Sequence, residues 1–247
     1  MTLNQISPNN NFNDNEVRSL KGYEGFIRSN PYSDKISVDR FHHVEFYSGD
    51  STNTYKRFMI SLGLELVAKS DYSTGNINHA SYVLQSEDLM MLFTAPYSND
   101  NNSVLPTNCL PGFDSEVAND FFFKHGLGVR AIGVAVSNVN KSHEILVENG
   151  AETVLSPTSI SDQHGQVCIS EIKLYGDVVL RLIENISYKG HFLPNFQDLK
   201  CNKKIGRYGI NRFDHIVGNV WSLRDNMERI KRMTVSLLIK LLVAHIF

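Results

Sequence analysis

The chain carries three copies of one strand pattern, and this repeat constrains its fold more than any other feature. Residues 212–220 (RFDHIVGNV) align with residues 40–46 (RFHHVEF) on their shared Arg-Phe pair, which places His215 opposite His43. A fainter copy lies at 129–136 (VRAIGVAV). The copies are spaced by roughly 85 to 90 residues, which predicts a structural module repeated along the chain.

The first two copies each open the same order of elements: a strand, a helix and three more strands. In the first unit, Asp50 or Ser51 can cap a helix that runs to about Leu62 and ends at Gly63. The second unit predicts a helix capped by Asn138 and ended by Asn149-Gly150. The predicted strands are 42–48, 65–70, 79–85 and 89–94 in the first unit, and 130–136, 152–155, 167–174 and 178–183 in the second. The third copy predicts a strand from Phe213 and the beginning of a helix, Leu223 to about Met233.

A single βαβββ unit cannot bury both faces of its small sheet, so two units are expected to pack side by side. The prediction is an α+β protein in which paired βαβββ modules form a half-barrel with a shared concave face. Inward side chains of the first and last strands of each unit converge on that face. A ligand site is therefore expected there.

The chain length of 247 residues fits one large domain or two small ones. We predict a flexible N-terminal tail at 1–37, a domain of two units at 38–200, the start of a second, truncated domain at 208–234, and a divergent apolar tail at 235–247. The N-terminal tail is rich in asparagine and has the pattern of neither a signal nor a transit peptide. The apolar tail is shorter than the roughly 20 residues that a membrane span needs, so no membrane partner is expected.

Composition restricts the function classes. A net charge of -2 provides no basic surface for nucleic acid, so nucleic acid is not an expected partner. The three cysteines, Cys109, Cys168 and Cys201, share no Cys-x-x-Cys spacing and cannot all pair. This pattern favours a reducing compartment, the cytoplasm, with Cys168 as a buried core thiol.

Several runs resemble one known family, 4-hydroxyphenylpyruvate dioxygenase, especially its plant-type members. They are 69–76 (KSDYSTGN), 79–82 (HASY), 92–98 (LFTAPYS), 125–131 (HGLGVRA), 173–181 (KLYGDVVLR) and 213–220 (FDHIVGNV). The resemblance spans roughly Arg40 to Asn226. It implies a vicinal-oxygen-chelate fold, related to glyoxalase and bleomycin-resistance proteins, with two domains of two βαβββ units each.

The resemblance also implies chemistry. Family members hold a mononuclear Fe(II) with two histidines and one carboxylate, which leaves positions open for substrate and dioxygen. They convert 4-hydroxyphenylpyruvate and O2 into homogentisate and CO2 in tyrosine and phenylalanine breakdown, and they are expected to be homo-oligomers. The first family histidine matches His215, and Val217 resembles a residue lining the substrate pocket. The family's other two ligands, a histidine and a glutamate, lie in strands that this sequence does not match. The C-terminal helix of the family is also not matched.

Alternatives remain open. The chain is interpreted as a dioxygenase family member that is inactive as it stands, because one imidazole holds Fe(II) too weakly. It is alternatively interpreted as a non-catalytic module that oligomerises with a full-length enzyme. A related hydroxymandelate-forming synthase shares the scaffold and the iron triad, and is a third possibility.

The first two units are not expected to hold a metal by themselves. Their first strands offer His43 and Ala131, and their last strands offer Thr94 or Leu92 and Arg181, whose charge repels a divalent ion. His42 and His43 are predicted to face opposite sides of the strand, with structural roles. Asp214 is likewise predicted to face away from His215. Arg130 and Arg181 are predicted to pair with Glu171 or Asp177.

Overall fold

The computed structural model describes residues 36–97, 110–200 and 208–218. Within these ranges the chain forms two successive βαβββ units joined by one additional helix. The elements of the first unit are β1 (Val38–Tyr47), α1 (Ser51–Leu62), β2 (Glu65–Ser70), a short 3-10 helix (Tyr72–Thr74), β3 (His79–Ser86) and β4 (Leu89–Pro96). The joining helix is α2 (Ser115–His125), and the second unit contains β5 (Gly128–Val136), α3 (Val139–Glu148), β6 (Thr153–Asp162), β7 (Gly165–Tyr175) and β8 (Val178–Asn185). A two-residue strand, β9 (Gln197–Asp198), follows.

The nine strands of the described residues form one mixed sheet in the order β6-β7-β8-β5-β1-β4-β3-β2-β9. In each unit the first strand pairs in parallel with the last strand, β1 with β4 and β5 with β8. The two units join through antiparallel pairing of β1 and β5. The predicted α+β half-barrel of paired βαβββ modules is therefore confirmed, with the two first strands at its centre.

Local signals set the helix ends as predicted. The Asp50 side chain accepts from the backbone N–H of Asn53 and caps α1, and Gly63 ends α1 in the left-handed region at φ 65°. The Asn138 side chain accepts from the N–H of Lys141 and caps α3. These short polar side chains satisfy N–H groups that have no partner inside the helix.

The sheet buries both of its faces. On the convex face, α1 and α3 cover one unit each, over the clusters that contain Phe93 and Leu180, respectively. On the concave face, α2 and a loop at 188–196 cover a third cluster that includes Tyr47, Phe121 and Leu193. The concave face of the half-barrel is thus occupied by the chain itself.

Several elements differ from the sequence prediction. Strand β6 runs to Asp162, well beyond the predicted 152–155, and β9 was not predicted. Helix α2 was not predicted. It directly follows residues 98–114, a Pro- and Asn-rich stretch interpreted from the sequence as a loop, of which 98–109 lie outside the described residues. The predicted strand from Phe213 is wrong over 213–218, because these residues form no strand. They pack on the convex clusters through the side chains of Phe213 and Ile216 instead.

The other predictions beyond this core lie outside the described residues. These are the N-terminal tail to residue 35, the helix Leu223 to Met233, and the apolar tail 235–247. No helix in the ranges 36–97, 110–200 and 208–218 has the length and apolarity to cross a membrane.

Candidate functional site: the barrel interior and the His215 segment

An arginine from the second unit lies at the centre of the half-barrel. Arg181 on β8 donates from Nη2 to Glu45 Oε2 at 2.7 Å and from Nε to Glu171 Oε1 at 2.6 Å. Its Nη1 donates to His43 Nε2 at 2.9 Å. All four side chains are at least 96% buried. The guanidinium thus ties β8 to β7 and, across the junction of the units, to β1.

The two carboxylates control the charge state of this cluster. Burial alone would lower the pKa of Arg181, but Glu45 and Glu171 raise that pKa above its ordinary value. Burial lowers the pKa of His43 well below its usual range, and the charges of His42 and Arg181 lower it further. The interior therefore contains a permanent cation and a neutral imidazole.

The two adjacent histidines do not face opposite sides of β1, and that prediction is wrong. The pairing of β1 with β5 shifts register between Phe41 and His43, so β1 carries one extra residue there. This bulge brings His42 Nδ1 within 2.8 Å of His43 Nδ1. Because Arg181 can only donate to His43 Nε2, the proton of neutral His43 lies on Nδ1 and is donated to His42.

A chain of hydrogen bonds continues from Glu45 into the first unit. Thr94 donates to Glu45 Oε1 at 2.7 Å, and the Ser81 hydroxyl lies 2.8 Å from Thr94 Oγ1. Since the one hydroxyl hydrogen of Thr94 is used, Ser81 donates to Thr94, and His79 Nδ1 donates to Ser81 at 2.9 Å. The remaining nitrogen, His79 Nε2, accepts from the backbone N–H of Leu110 at 3.2 Å. Burial lowers the pKa of His79 to about 3, so this imidazole is neutral.

Aromatic rings close the interior against solvent. The Phe192 ring lies 4.9 Å from the His43 ring and 5.7 Å from the His42 ring, measured between centroids. The Phe113 ring lies 4.3 Å from that of His79. As far as residues 36–97, 110–200 and 208–218 show, the concave face is therefore a filled core whose charged and imidazole groups are hydrogen-bonded, rather than an open ligand pocket.

Sequence reasoning found part of this cluster. The pairing of Arg181 with Glu171 is confirmed, whereas Arg130 donates to the main-chain carbonyl of Asp177. The Asp177 carboxylate instead lies 2.8 Å from His125 Nε2. Glu45 was missed, although it follows His43 by two residues and so shares its face of the strand. A glutamate inside a mostly apolar predicted strand was the signal that could have identified Glu45 as part of the buried cluster.

Residues 213–218, which carry the strand pattern around His215, lie on the convex side of the sheet. The His215 side chain is 48% exposed, and its Nδ1 lies 2.9 Å from an oxygen of Asp214. Asp214 therefore does not face away from His215 as predicted, because no strand geometry separates them here. Val217 is 58% exposed and lines no described cavity. Within the described ranges, no group of three His, Cys, Asp or Glu side chains is arranged to hold a metal ion.

Comparison with solved structures identifies the fold. A mutant of 4-hydroxymandelate synthase from Streptomyces coelicolor superposes with a TM-score of 0.60 at 18% identity, covering 80% of this chain and 52% of that one. The fold is therefore that of the vicinal-oxygen-chelate proteins, half-barrels of paired βαβββ units. A scan of protein-family models finds no match.

Sequence comparison identifies the relatives. The chain is 44% identical to 4-hydroxyphenylpyruvate dioxygenase of Daucus carota over 217 residues, covering 87% of this chain and 48% of that protein. It is also 44% identical to the enzyme of the same name from Arabidopsis thaliana over 227 residues, covering 87% of this chain and 50% of that protein. The chain is thus a homologue of plant 4-hydroxyphenylpyruvate dioxygenases, and it spans about half the length of the curated relatives it matches.

Proposed function

We propose that this chain is the part of a 4-hydroxyphenylpyruvate dioxygenase that contains one pair of units and the first histidine of the iron site. The 44% identity to the carrot enzyme over 217 residues is the observation that carries the proposal. The whole protein would convert 4-hydroxyphenylpyruvate and O2 into homogentisate and CO2, in tyrosine and phenylalanine catabolism.

His215 is the proposed iron ligand of this part. The Asp214 carboxylate lies 2.9 Å from Nδ1, and this contact supports the proposal because such a partner would orient a metal-binding imidazole with Nε2 as its ligand atom. Val217 is the proposed contribution to the substrate pocket. The Fe(II) would supply the open coordination positions for substrate and dioxygen.

The described residues do not complete that iron site. A site of two histidines and one carboxylate needs three converging side chains, and no group of three lies within residues 36–97, 110–200 and 208–218. The Arg181 cluster does not substitute for it, because a guanidinium already bridges both of its carboxylates. We therefore expect purified residues 1–247 to form no homogentisate and to bind Fe(II) only weakly. Turnover, or one tightly held Fe(II) per chain, would show that this expectation is wrong.

The dioxygenase assignment itself is tested by a chimera. Residues 1–218 are joined to the part of the carrot enzyme that this chain does not cover, and product formation from 4-hydroxyphenylpyruvate is measured by chromatography. Homogentisate formation that is lost in His215→Ala but kept in His164→Ala supports the proposal; His164 is an exposed residue of the hairpin between β6 and β7. Hydroxymandelate as product would indicate the related synthase, and a folded but inactive chimera would count against both.

A second candidate is a non-catalytic module that oligomerises with a full-length enzyme. It is favoured by the filled concave face and by apolar side chains exposed at the end of α2, of which Phe123 is 85% exposed and Leu127 46% exposed. Native mass spectrometry of a mixture with the carrot enzyme would detect hetero-oligomers, and only homo-oligomers would be seen if this candidate is wrong. We also propose a cytoplasmic location, on the basis of the unpaired cysteine pattern.

A further inference from the structure

We propose that residues 208–218 form a strap across the convex face of the sheet, and that Phe213 is the positioning residue that fixes where Asp214 and His215 are presented. The assignment of His215 as an iron ligand rests on the proposed function. The strap itself rests only on contacts within this chain.

The strap is first attached to the first unit. The Tyr208 hydroxyl donates to the carbonyl of Ile60 in α1 at 3.4 Å. At the turn between β3 and β4, the Ser86 hydroxyl donates to the Ile210 carbonyl at 2.7 Å, and the Asp88 N–H donates to the Asn211 carbonyl at 2.9 Å. These bonds attach the start of the strap to α1 and to the turn between β3 and β4, and so determine where the strap begins to cross the sheet.

Phe213 then lies at the junction of the two units. It packs against both convex clusters, the one under α1 and the one under α3. Its ring meets that of Phe41 on β1 edge to face, with 6.0 Å between centroids and 71° between planes. Since α1 covers one unit and α3 the other, the Phe213 ring covers the space between them.

The end of the strap contacts the second unit. Ile216 packs against the cluster under α3. At Gly218 the strap approaches the Tyr175 ring so closely that an added Cβ would lie 2.7 Å from it. The strap thus touches both units along its length, and it is anchored by isolated hydrogen bonds at its start and by side-chain packing further on, without a strand ladder.

The anchors determine the orientation of the residues between them. Phe213 and Ile216 point toward the sheet, so the intervening Asp214 and His215 point outward, with side chains 85% and 48% exposed. Removing the Phe213 ring would release the middle of the strap while leaving its first attachments in place. The position of the His215 imidazole would then no longer be defined relative to the sheet.

Amide hydrogen exchange and NMR of the whole chain test this proposal with three variants: Phe213→Ala, Phe213→Leu and Val217→Ala. Phe213→Ala is expected to speed exchange at 211–218 by at least tenfold and to shift the His215 imidazole resonances toward those of an unstructured histidine. Phe213→Leu, which keeps an apolar anchor, should show exchange rates and His215 resonances close to those of the unaltered chain. Val217→Ala, which changes an exposed side chain of the same strap, should leave both unchanged.

Three outcomes would overturn the proposal. The first is unchanged exchange in Phe213→Ala, and the second is an equal loss of exchange protection in Val217→Ala. The third is a loss of protection in Phe213→Ala that is as large over β1 and β5 as over the strap, which would show that Phe213 supports the sheet instead of the strap. None of these measurements requires iron or turnover. An inactive chimera would therefore refute the dioxygenase assignment without affecting the strap. A failed test of the strap would likewise leave the dioxygenase assignment unaffected.

Discussion

The Arg181 guanidinium and the Glu45 carboxylate meet at 2.7 Å across the junction of the two units, and both are almost completely buried. Arg181 lies on the last strand of the second unit and Glu45 on the first strand of the first. Their residue numbers differ by 136, so this ion pair forms only when the two units have assembled. Two carboxylates share the single guanidinium, and removing it would leave both without their cation.

Replacement of Arg181 by methionine is therefore expected to destabilise the fold strongly. Breaking a buried ion pair by removing one partner costs about 3–5 kcal/mol, because an uncompensated charge stays buried. Urea unfolding followed by circular dichroism would measure the loss. Arg57→Met, at an exposed position of α1, should change the free energy of unfolding by no more than about 0.5 kcal/mol. Equal effects of the two substitutions would show that the cluster is not a stabilising contact.

The unfolding free energy should also depend on pH through His79. Its pKa in the folded chain is about 3, against about 6.5 in an unfolded chain. Below pH 6.5 the unfolded chain therefore binds a proton that the folded chain does not, so stability falls as the pH falls toward 3. The maximum slope for one such group is about 1.4 kcal/mol per pH unit.

The His79→Gln variant isolates this contribution. Unfolding at pH 7.5, 6 and 5 should show a smaller loss of stability with acid than in the unaltered chain, whatever the variant's absolute stability. His164→Gln, at an exposed histidine, is the matched control for the same chemical substitution outside the interior. An unchanged slope in His79→Gln would mean that His79 is not the group whose protonation opposes folding.

The elements of the two units were predictable because their signals are local. Alternating strands, the caps at Asp50 and Asn138, and the glycine after α1 each act within a few residues. The arrangement of the interior was not predictable in the same way. The bulge after Phe41 depends on pairing with β5 and overturns the simple alternation that separates His42 from His43. Likewise, the conformation of 213–218 depends on the packing of Phe213 and Ile216 against clusters formed by distant parts of the chain.

Helix α2 is an intermediate case, since its signals were present in the sequence but were not used. Asp114 caps the helix by accepting from the N–H groups of Glu116 and Val117, and Lys124 and His125 occupy its last turn. An acidic first turn and a basic last turn are typical of a helix. The preceding residues 98–113 are rich in Pro and Asn, a composition typical of loops, and it masked the start of the helix at this cap.

The Asp114 cap gives a direct test of that helix. Asp114→Ala should lower the free energy of unfolding by about 1 kcal/mol, because two N–H groups lose their acceptor. Asp114→Asn keeps an acceptor oxygen and should recover most of the loss. If the alanine variant unfolds at the same urea concentration as the unaltered chain, the cap contributes nothing measurable to stability.

Two glycines in tight contacts allow the rigidity of the barrel interior to be compared with that of the surface. A Cβ added at Gly133 would lie 2.8 Å from two atoms of the buried His43 ring and 3.2 Å from the His43 carbonyl oxygen. A Cβ added at Gly49 would lie 2.6 Å from the Phe122 ring, which is 38% exposed. The same methyl group thus meets a fixed neighbour in one case and a movable neighbour in the other.

Gly133→Ala is therefore expected to cost about 1–3 kcal/mol, the usual range for overpacking a core. It should also displace the His43 ring from Arg181, visible as a shift of the His43 imidazole resonances. Gly49→Ala should cost less despite its shorter contact, since the Phe122 ring can rotate into solvent. The opposite order of the two free-energy changes would mean that the ring of His43 yields more readily than an exposed phenylalanine. The hydrogen bonds to Arg181 and His42 would then not hold that imidazole in place.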